Sequence, residues 1–269
     1  MRNIKFIIAY DGTDFSGWQS QPGQITVQGA LSNVLEKLTQ HRAAIHAAGR
    51  TDAGVHASGQ VLNFKTESSM SVEEFQRASN ALLPPTIRVN AAEEVHLDFH
   101  SRWDALAKTY RYRIFRGRVV PPFIWKYVQQ DSSDMNFDAM AEAADLFIGG
   151  HDFTSFAAST GSDEDDMERT TVRTIYNSAF LRIPCADSQA VAEEWVYMVR
   201  GRSFMRNMVR KIVGTLVEVG RGKLPPSDIS KLFDLRDRSK SGVTMPPQGL
   251  CLESVEYAQR TESPSVLES

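Results

Sequence analysis

Hydrophobic and polar positions divide the chain into two successive sets of strands and helices. Residues 5–10 (KFIIAY) read as a buried strand, closed by the turn pair Asp11-Gly12. Val27, Leu31, Val34, Leu35 and Leu38 recur at helical spacing behind Thr26, which has the chemistry of an N-cap. Residues 43–49 and 60–65 predict strands on either side of a glycine-punctuated loop. Ser71 and Glu74 form a capping-box pair ahead of a second helix with the apolar stripe Val72, Phe75, Ala78 and Leu82. Pro84-Pro85 ends that helix, and residues 87–95 predict a strand.

The pattern then repeats. Tyr110, Tyr112 and Ile114 alternate with Thr109, Arg111 and Arg113, the period of a half-buried strand. Phe137, Met140, Ala144 and Phe147 share a helix face that Gly149-Gly150 stops. Residues 172–183 and 195–199 predict strands. Met208, Val209, Ile212, Val213, Leu216 and Val217 make the most apolar helix. A short helix with Ile229, Leu232 and Phe233 follows, and residues 250–257 close the series as a strand. Strands and helices do not alternate one for one, so an α+β fold with antiparallel sheets is expected in place of a doubly wound parallel one. The expected division is residues 1–105, residues 106–259 and a disordered tail at 260–269.

Composition adds bounds. Hydrophobic residues are 42% and charged residues 23% of 269, an ordinary globular balance. No apolar run reaches the roughly 18 residues of a membrane span, and the N-terminus lacks a signal-peptide pattern. Two cysteines, Cys185 and Cys251, are too few for a disulfide framework or a multi-cysteine zinc site, so a reducing, cytoplasmic setting is expected. Thirty basic and 33 acidic residues give a net charge of −3, at first sight unfavourable to nucleic acid. The charges are not evenly spread. Residues 102–126 hold seven basic side chains against Asp104, and residues 200–223 hold seven against Glu218. Residues 131–168 between them hold eleven acids and no Lys or Arg. Aromatics (Tyr110, Tyr112, Phe115, Trp125, Phe204) interleave with the basic segments. That mixture suits RNA, since phosphate takes cations and unpaired bases take flat rings.

No phosphate-binding loop, dinucleotide fingerprint, HExxH or Cys/His spacing is present, so neither a metal nor a cofactor is expected. The most informative stretch is GRTDAGVHASG at residues 49–59. Its three glycines indicate a tightly shaped loop around Asp52, where the backbone must bend or closely approach something. A carboxylate there fits an ordinary turn, bonded to nearby N–H groups, as well as it fits chemistry.

These residues, with Tyr10-Asp11-Gly12, Phe15-Ser16-Gly17-Trp18-Gln19, Asp98-Phe99-His100-Ser101-Arg102, Lys108-Thr109-Tyr110-Arg111-Tyr112, Phe204-Met205-Arg206-Asn207-Met208-Val209-Arg210 and Gln248-Gly249-Leu250, resemble the tRNA pseudouridine synthase A family in order along nearly the whole chain. The resemblance implies the pseudouridine synthase fold, two pseudo-repeated ferredoxin-like α/β halves joined in a central antiparallel sheet. It implies a cofactor-independent isomerase that turns uridine into pseudouridine in the anticodon stem-loop of tRNA, expected at tRNA positions 38 to 40. It also implies a homodimer.

By the same resemblance Asp52 is the nucleophile, Arg210 its salt-bridge partner and Tyr110 the ring that stacks on the flipped uridine. Arg50, His56, Arg202 and Arg206 join Tyr110 in binding substrate. The residue types suit these roles. A carboxylate attacks an anomeric carbon, and a cation keeps it ionised once substrate excludes water. A uridine must leave its stack before C1′ is reachable. The ordinary alternatives are a phosphate contact for Arg210, a packed strand aromatic for Tyr110 and a structural role for His56. Two other functions compete: an RNA-binding protein without catalysis, and a hydrolase that releases uracil. An acidic loop at residues 161–166 would repel RNA and is expected to point away from it.

Overall fold

The computed structural model describes residues 1–158, 170–184 and 192–258. The acidic loop, Cys185 and the tail at 260–269 lie outside the described residues. Among the described residues ten strands form one sheet in the order β4-β1-β3-β10-β5-β9-β8-β7, with β2 added on β3 and β6 on β5. They are β1 (Arg2–Tyr10), β2 (His46–Ala47), β3 (His56–Thr66), β4 (Ile87–Val95), β5 (Ala105–Phe115), β6 (Gln129–Gln130), β7 (Gly149–Asp152), β8 (Val172–Pro184), β9 (Glu193–Gly201) and β10 (Leu250–Tyr257). The described helices are α1 (Val27–Thr39), α2 (Val72–Leu82), α3 (Phe137–Asp145), α4 (Met208–Gly220) and α5 (Asp228–Leu235).

The repeat is explicit in the topology. In the first half, β1-α1-β2-β3-α2-β4 gives the strand order β4-β1-β3-β2. In the second, β5-α3-β8-β9-α4-β10 gives β10-β5-β9-β8, the same ferredoxin-like order. The halves join where β10 runs parallel to the start of β3, Cys251 opposite His56 and Leu252 opposite Ala57. On its other side Leu252 faces Tyr110 of β5. One row across the seam is therefore Ala57, Leu252, Tyr110, and the seam lies beside the loop that carries Asp52.

Local chemistry explains the elements. Thr26 Oγ1 accepts from Gly29 N at 3.2 Å and starts α1. Ser71 and Glu74 form the capping box of α2, at 2.8 and 3.2 Å. Alternation sends Ile4, Phe6, Ile8, Leu62, Phe64, Tyr112, Tyr197 and Leu252 into the core under the helices. Phe75 of α2 meets Phe64 edge-on at 5.7 Å, and Phe137 of α3 meets Trp195 at 5.2 Å. On the opposite face, residues 96–104 cover the first half, where Asn3 Nδ2 donates to His96 O and Phe99 O at 3.0 and 2.9 Å. Cys251 is a packed thiol, pushed up to about 12 by burial, and is not a nucleophile at neutral pH.

Two sequence expectations change. The strand predicted at 43–49 shrinks to the two residues of β2. The loop predicted at 49–59 ends at Val55, because β3 begins at His56. Gly59 belongs to the strand: a Cβ there would overlap Glu253 O of β10. That glycine serves close approach across the seam and not a bend.

Candidate active site

The loop before β3 is fixed from several sides. Trp18 N donates to Thr51 O at 3.0 Å, Gln60 Nε2 donates to Gly49 O at 2.8 Å, and the Tyr10 and Thr51 hydroxyls are 2.8 Å apart. Gly12 passes so close to Val55 that a Cβ would overlap its carbonyl. The loop after β1 thus nests against the Asp52 loop only because residue 12 has no side chain.

Val55 N donates to Asp52 O at 3.1 Å, so Asp52 does open a turn. Its carboxylate plays no part in that turn. Asp11, Asp131, Asp152 and Asp237 each accept the N–H two residues on, at 3.0, 3.0, 3.0 and 2.9 Å. Among the described residues the Asp52 carboxylate accepts no hydrogen bond. It faces two guanidiniums, Arg210 Nη1 at 3.6 Å from Oδ2 and Arg206 Nε at 3.8 Å from Oδ1.

The two arginines differ. The Arg210 side chain is 14% exposed and Arg206 is 62% exposed, against 26% for Asp52. Arg210 is also aimed. Its Nε donates to Met245 O at 2.6 Å and its Nη1 to Asn207 Oδ1 at 3.0 Å. Asn207 precedes α4 in the left-handed region, φ 60 and ψ 0, which asparagine tolerates better than most side chains. Asn207→Gly keeps that backbone and loses the acceptor; Asn207→Ala loses both. We expect both to lower kcat roughly tenfold through a misaimed Arg210. Only the alanine variant should lower the melting temperature, by the equivalent of about 1 kcal/mol. Calorimetry and steady-state kinetics on tRNA read the two effects separately.

Tyr110 is buried on the same side of the sheet. Phe204 meets its ring edge-on at 5.1 Å. Burial raises its phenol pKa, and the neighbouring Tyr10 and Asp52 add to the shift, so the ring is neutral at physiological pH. Tyr112, two residues along, is fully buried and donates to Pro246 O at 2.8 Å, a packing role. Arg50 and Arg202 are exposed. The structure thus brings Asp52, Arg206 and Arg210 together with Tyr110 close by, and leaves Arg50 and Arg202 at the surface.

His56 departs from the expectation of a substrate contact. It is buried, and both ring nitrogens are used internally: Nδ1 accepts from Gly12 N at 3.0 Å and Nε2 donates to Lys126 O at 3.0 Å. Asp11 Oδ1 lies 3.3 Å from Nδ1, and the Tyr127 ring is 5.0 Å away. His56 ties the loop after β1 to the segment before β6. Burial lowers its pKa from 6.5, with Asp11 opposing the shift. An unfolded histidine takes up a proton below that value while the folded one resists. The stability from burying it neutral is therefore complete above about pH 6.5 and lost as pH falls further. Melting temperature measured from about pH 7.5 down to 5 should fall more steeply for wild type than for His56→Gln. The extra slope is bounded by one proton, about 1.4 kcal/mol per pH unit.

The basic segments are less available than their sequence suggests. Arg111 pairs with Glu253 at 3.1 Å, Arg113 with Glu194 at 2.6 Å and Arg200 with Glu256 at 2.6 Å. Arg116 and Arg221 share Asp131, and Lys223 joins Glu218 at 3.2 Å. Much of the expected local field is spent inside the sheet's outer face and its margins. What faces Asp52 is narrower, Arg206 and Arg210. The family resemblance names Arg210 as the partner of Asp52 and Arg206 only as a substrate contact; Asn207 and Met245 as aiming groups carry no signal in the sequence. Among the described residues no three His, Cys, Asp or Glu side chains converge as a metal set, and no helix is long and apolar enough to cross a membrane.

Similarity to known proteins covers most of the chain. Residues 6–104 and 143–258 match the family model described as tRNA pseudouridine synthase. Asp52 and Arg210 fall within the matched spans and Tyr110 between them. A tRNA pseudouridine synthase A of Solibacter usitatus (strain Ellin6076) is 46% identical over 257 residues, spanning 96% of this chain and all of its own. Similar proteins of the same description occur in Geobacter sp. (strain M21), 43% identical over 96% of this chain and all of its own, and in Exiguobacterium sp. (strain ATCC BAA-1283 / AT1b), 42% identical over 96% and 98%.

Proposed function

The chain belongs to the tRNA pseudouridine synthase family, and we propose that Asp52 is its nucleophile, acting on a uridine flipped out of the anticodon stem-loop at tRNA positions 38 to 40. The reaction is an isomerisation of tRNA uridine to pseudouridine. The observation that carries the residue assignment is the Asp52 carboxylate, free of turn hydrogen bonds and held between two arginines.

Asp52 attacks C1′ of the extruded nucleotide, and the N1–C1′ bond breaks with its electrons left on the uracil. The base turns, C5 attacks C1′, and the carboxylate leaves as it came. The C5 proton is lost to solvent and N1 takes one up, so the product is an isomer of the substrate. Arg210 holds the carboxylate charge once RNA excludes water. Tyr110 is the neutral surface for the base. Its raised pKa opposes a second role as the base for the C5 proton. Phe204 stands in a T-shaped contact with that ring. In this reading the exposed Arg50 and Arg202 meet phosphates, and the assembly is a homodimer working in the cytoplasm.

The test is a map. The protein is incubated with unmodified tRNA and pseudouridine is located by carbodiimide modification and primer extension. Stops at uridines of the anticodon stem-loop alone support the reading; stops elsewhere, or none, overturn the site.

A further inference from the structure

Residues 116–128 leave the end of β5 and return to β6 as a loop with a core of its own. Ile124 and Val128 bury against Phe115, with Val120 and Ala192 packed around them. Two turns hold the backbone, Ile124 N to Pro121 O at 3.2 Å and Tyr127 N to Ile124 O at 2.8 Å. On either side of the buried Ile124, Phe123 is 83% and Trp125 57% exposed. A ring left in water forgoes the burial that drives folding. Here two do so on either side of a residue that the same loop does bury.

The loop shares the frame of the Asp52 loop. Tyr127 Oη donates to Asp11 at 3.0 Å, and His56 Nε2 donates to Lys126 O at 3.0 Å. The turn at Trp125–Tyr127 contacts the turn at Pro247–Gly249. Pro247 in turn lies 2.9 Å from where a Cβ on Gly54, two residues past Asp52, would stand. From 116 to 128 the basic residues are Arg116, Arg118 and Lys126, with no acid. Lys126 Nζ lies 5.9 Å from the Trp125 ring centre, and Arg118 is exposed. The whole loop falls between the two spans that match the family model.

We propose that Phe123 and Trp125 form a stacking platform for unpaired bases of the anticodon loop next to the target uridine. Exposed rings with adjacent cations are how single-stranded RNA is held with little regard to sequence. This rests on tRNA being the substrate.

The experiment measures the affinity of a labelled RNA of about 17 nucleotides carrying an anticodon stem-loop, and of a blunt duplex with the same stem. Phe123→Ala and Trp125→Ala should each weaken the stem-loop about tenfold and leave the duplex unchanged. Trp125→Phe should restore most of the loss, because a ring remains. Equal affinity of the alanine variants and wild type for the stem-loop would overturn the platform, as would equal losses on both RNAs. A fall in particle mass by sedimentation would overturn it too, by showing that the rings seat a second copy of the chain. If wild type itself neither binds the stem-loop nor makes pseudouridine, it is the substrate reading that fails.

Discussion

Asp52→Asn is expected to reduce pseudouridine formation by at least about 10⁴-fold while tRNA affinity stays within about threefold of wild type. The amide has the shape of the carboxylate and lacks its nucleophilic electrons, so the first bond to C1′ cannot form. Little else should change. The carboxylate accepts no hydrogen bond among the described residues, so no turn depends on it. Arg210 keeps Met245 O and Asn207 Oδ1 when the charge is removed. Single-turnover rates under saturating enzyme, with affinity measured by filter binding, separate the two quantities. A variant retaining a tenth of the wild-type rate would end the nucleophile assignment.

Arg210→Met comes next in size. Its side chain is the less exposed of the two cations, so its charge acts on Asp52 in the least screened surroundings. Losing it should lower kcat by roughly 10²- to 10³-fold, the range seen when one preorganised electrostatic contact is removed. It also leaves Met245 O without its donor, a cost of about 1–3 kcal/mol in stability. Arg210→Lys should recover little, because one ammonium cannot reach the Met245 carbonyl and the carboxylate from the same stem. Arg206→Met is the control. It lies 3.8 Å from Asp52 and is largely in water, so a loss of about tenfold or less is expected. Equal losses for the two variants would contradict the division of labour between them.

Much of this was legible before any coordinates. Thr26, Ser71 and Glu74 advertise helix starts because their side chains satisfy N–H groups that nothing else can reach. The alternation of Tyr110, Tyr112 and Ile114 with Arg111 and Arg113 names the buried face of β5. The gaps have physical causes. Glycine has two uses, bending and close approach, and the letters leave both open for the glycines around Asp52; Gly59 serves close approach, from within β3. The strand expected at 43–49 is apolar enough to be one, but only His46 and Ala47 pair in ladder register with β3. His56 reads as a polar residue in a functional loop, whereas its ring is a buried bolt between the loop after β1 and the segment before β6.

The charge blocks teach the same lesson. A run such as Arg111, Arg113 and Arg116 counts as positive potential only if its partners are remote. Cross-strand neighbours bring Glu253 and Glu194 alongside, and Asp131 closes on Arg116. Pairing across a sheet depends on register, which no local count contains. The glycine-rich loop draws attention to Asp52 but fits an ordinary turn equally well, and Arg210 is singled out by the family resemblance alone; the approach of Arg206 and Arg210 to one carboxylate needs the fold.

The central claim is that a single carboxylate breaks and remakes the bond between base and sugar without losing the base. Transfer RNA carrying tritium at C5 of uridine tests it most directly, with released tritium, pseudouridine formed and free uracil all counted in one reaction. Wild type should release one tritium per pseudouridine with no free uracil, and Asp52→Asn none. Free uracil, or tritium release undiminished in Asp52→Asn, would contradict the account.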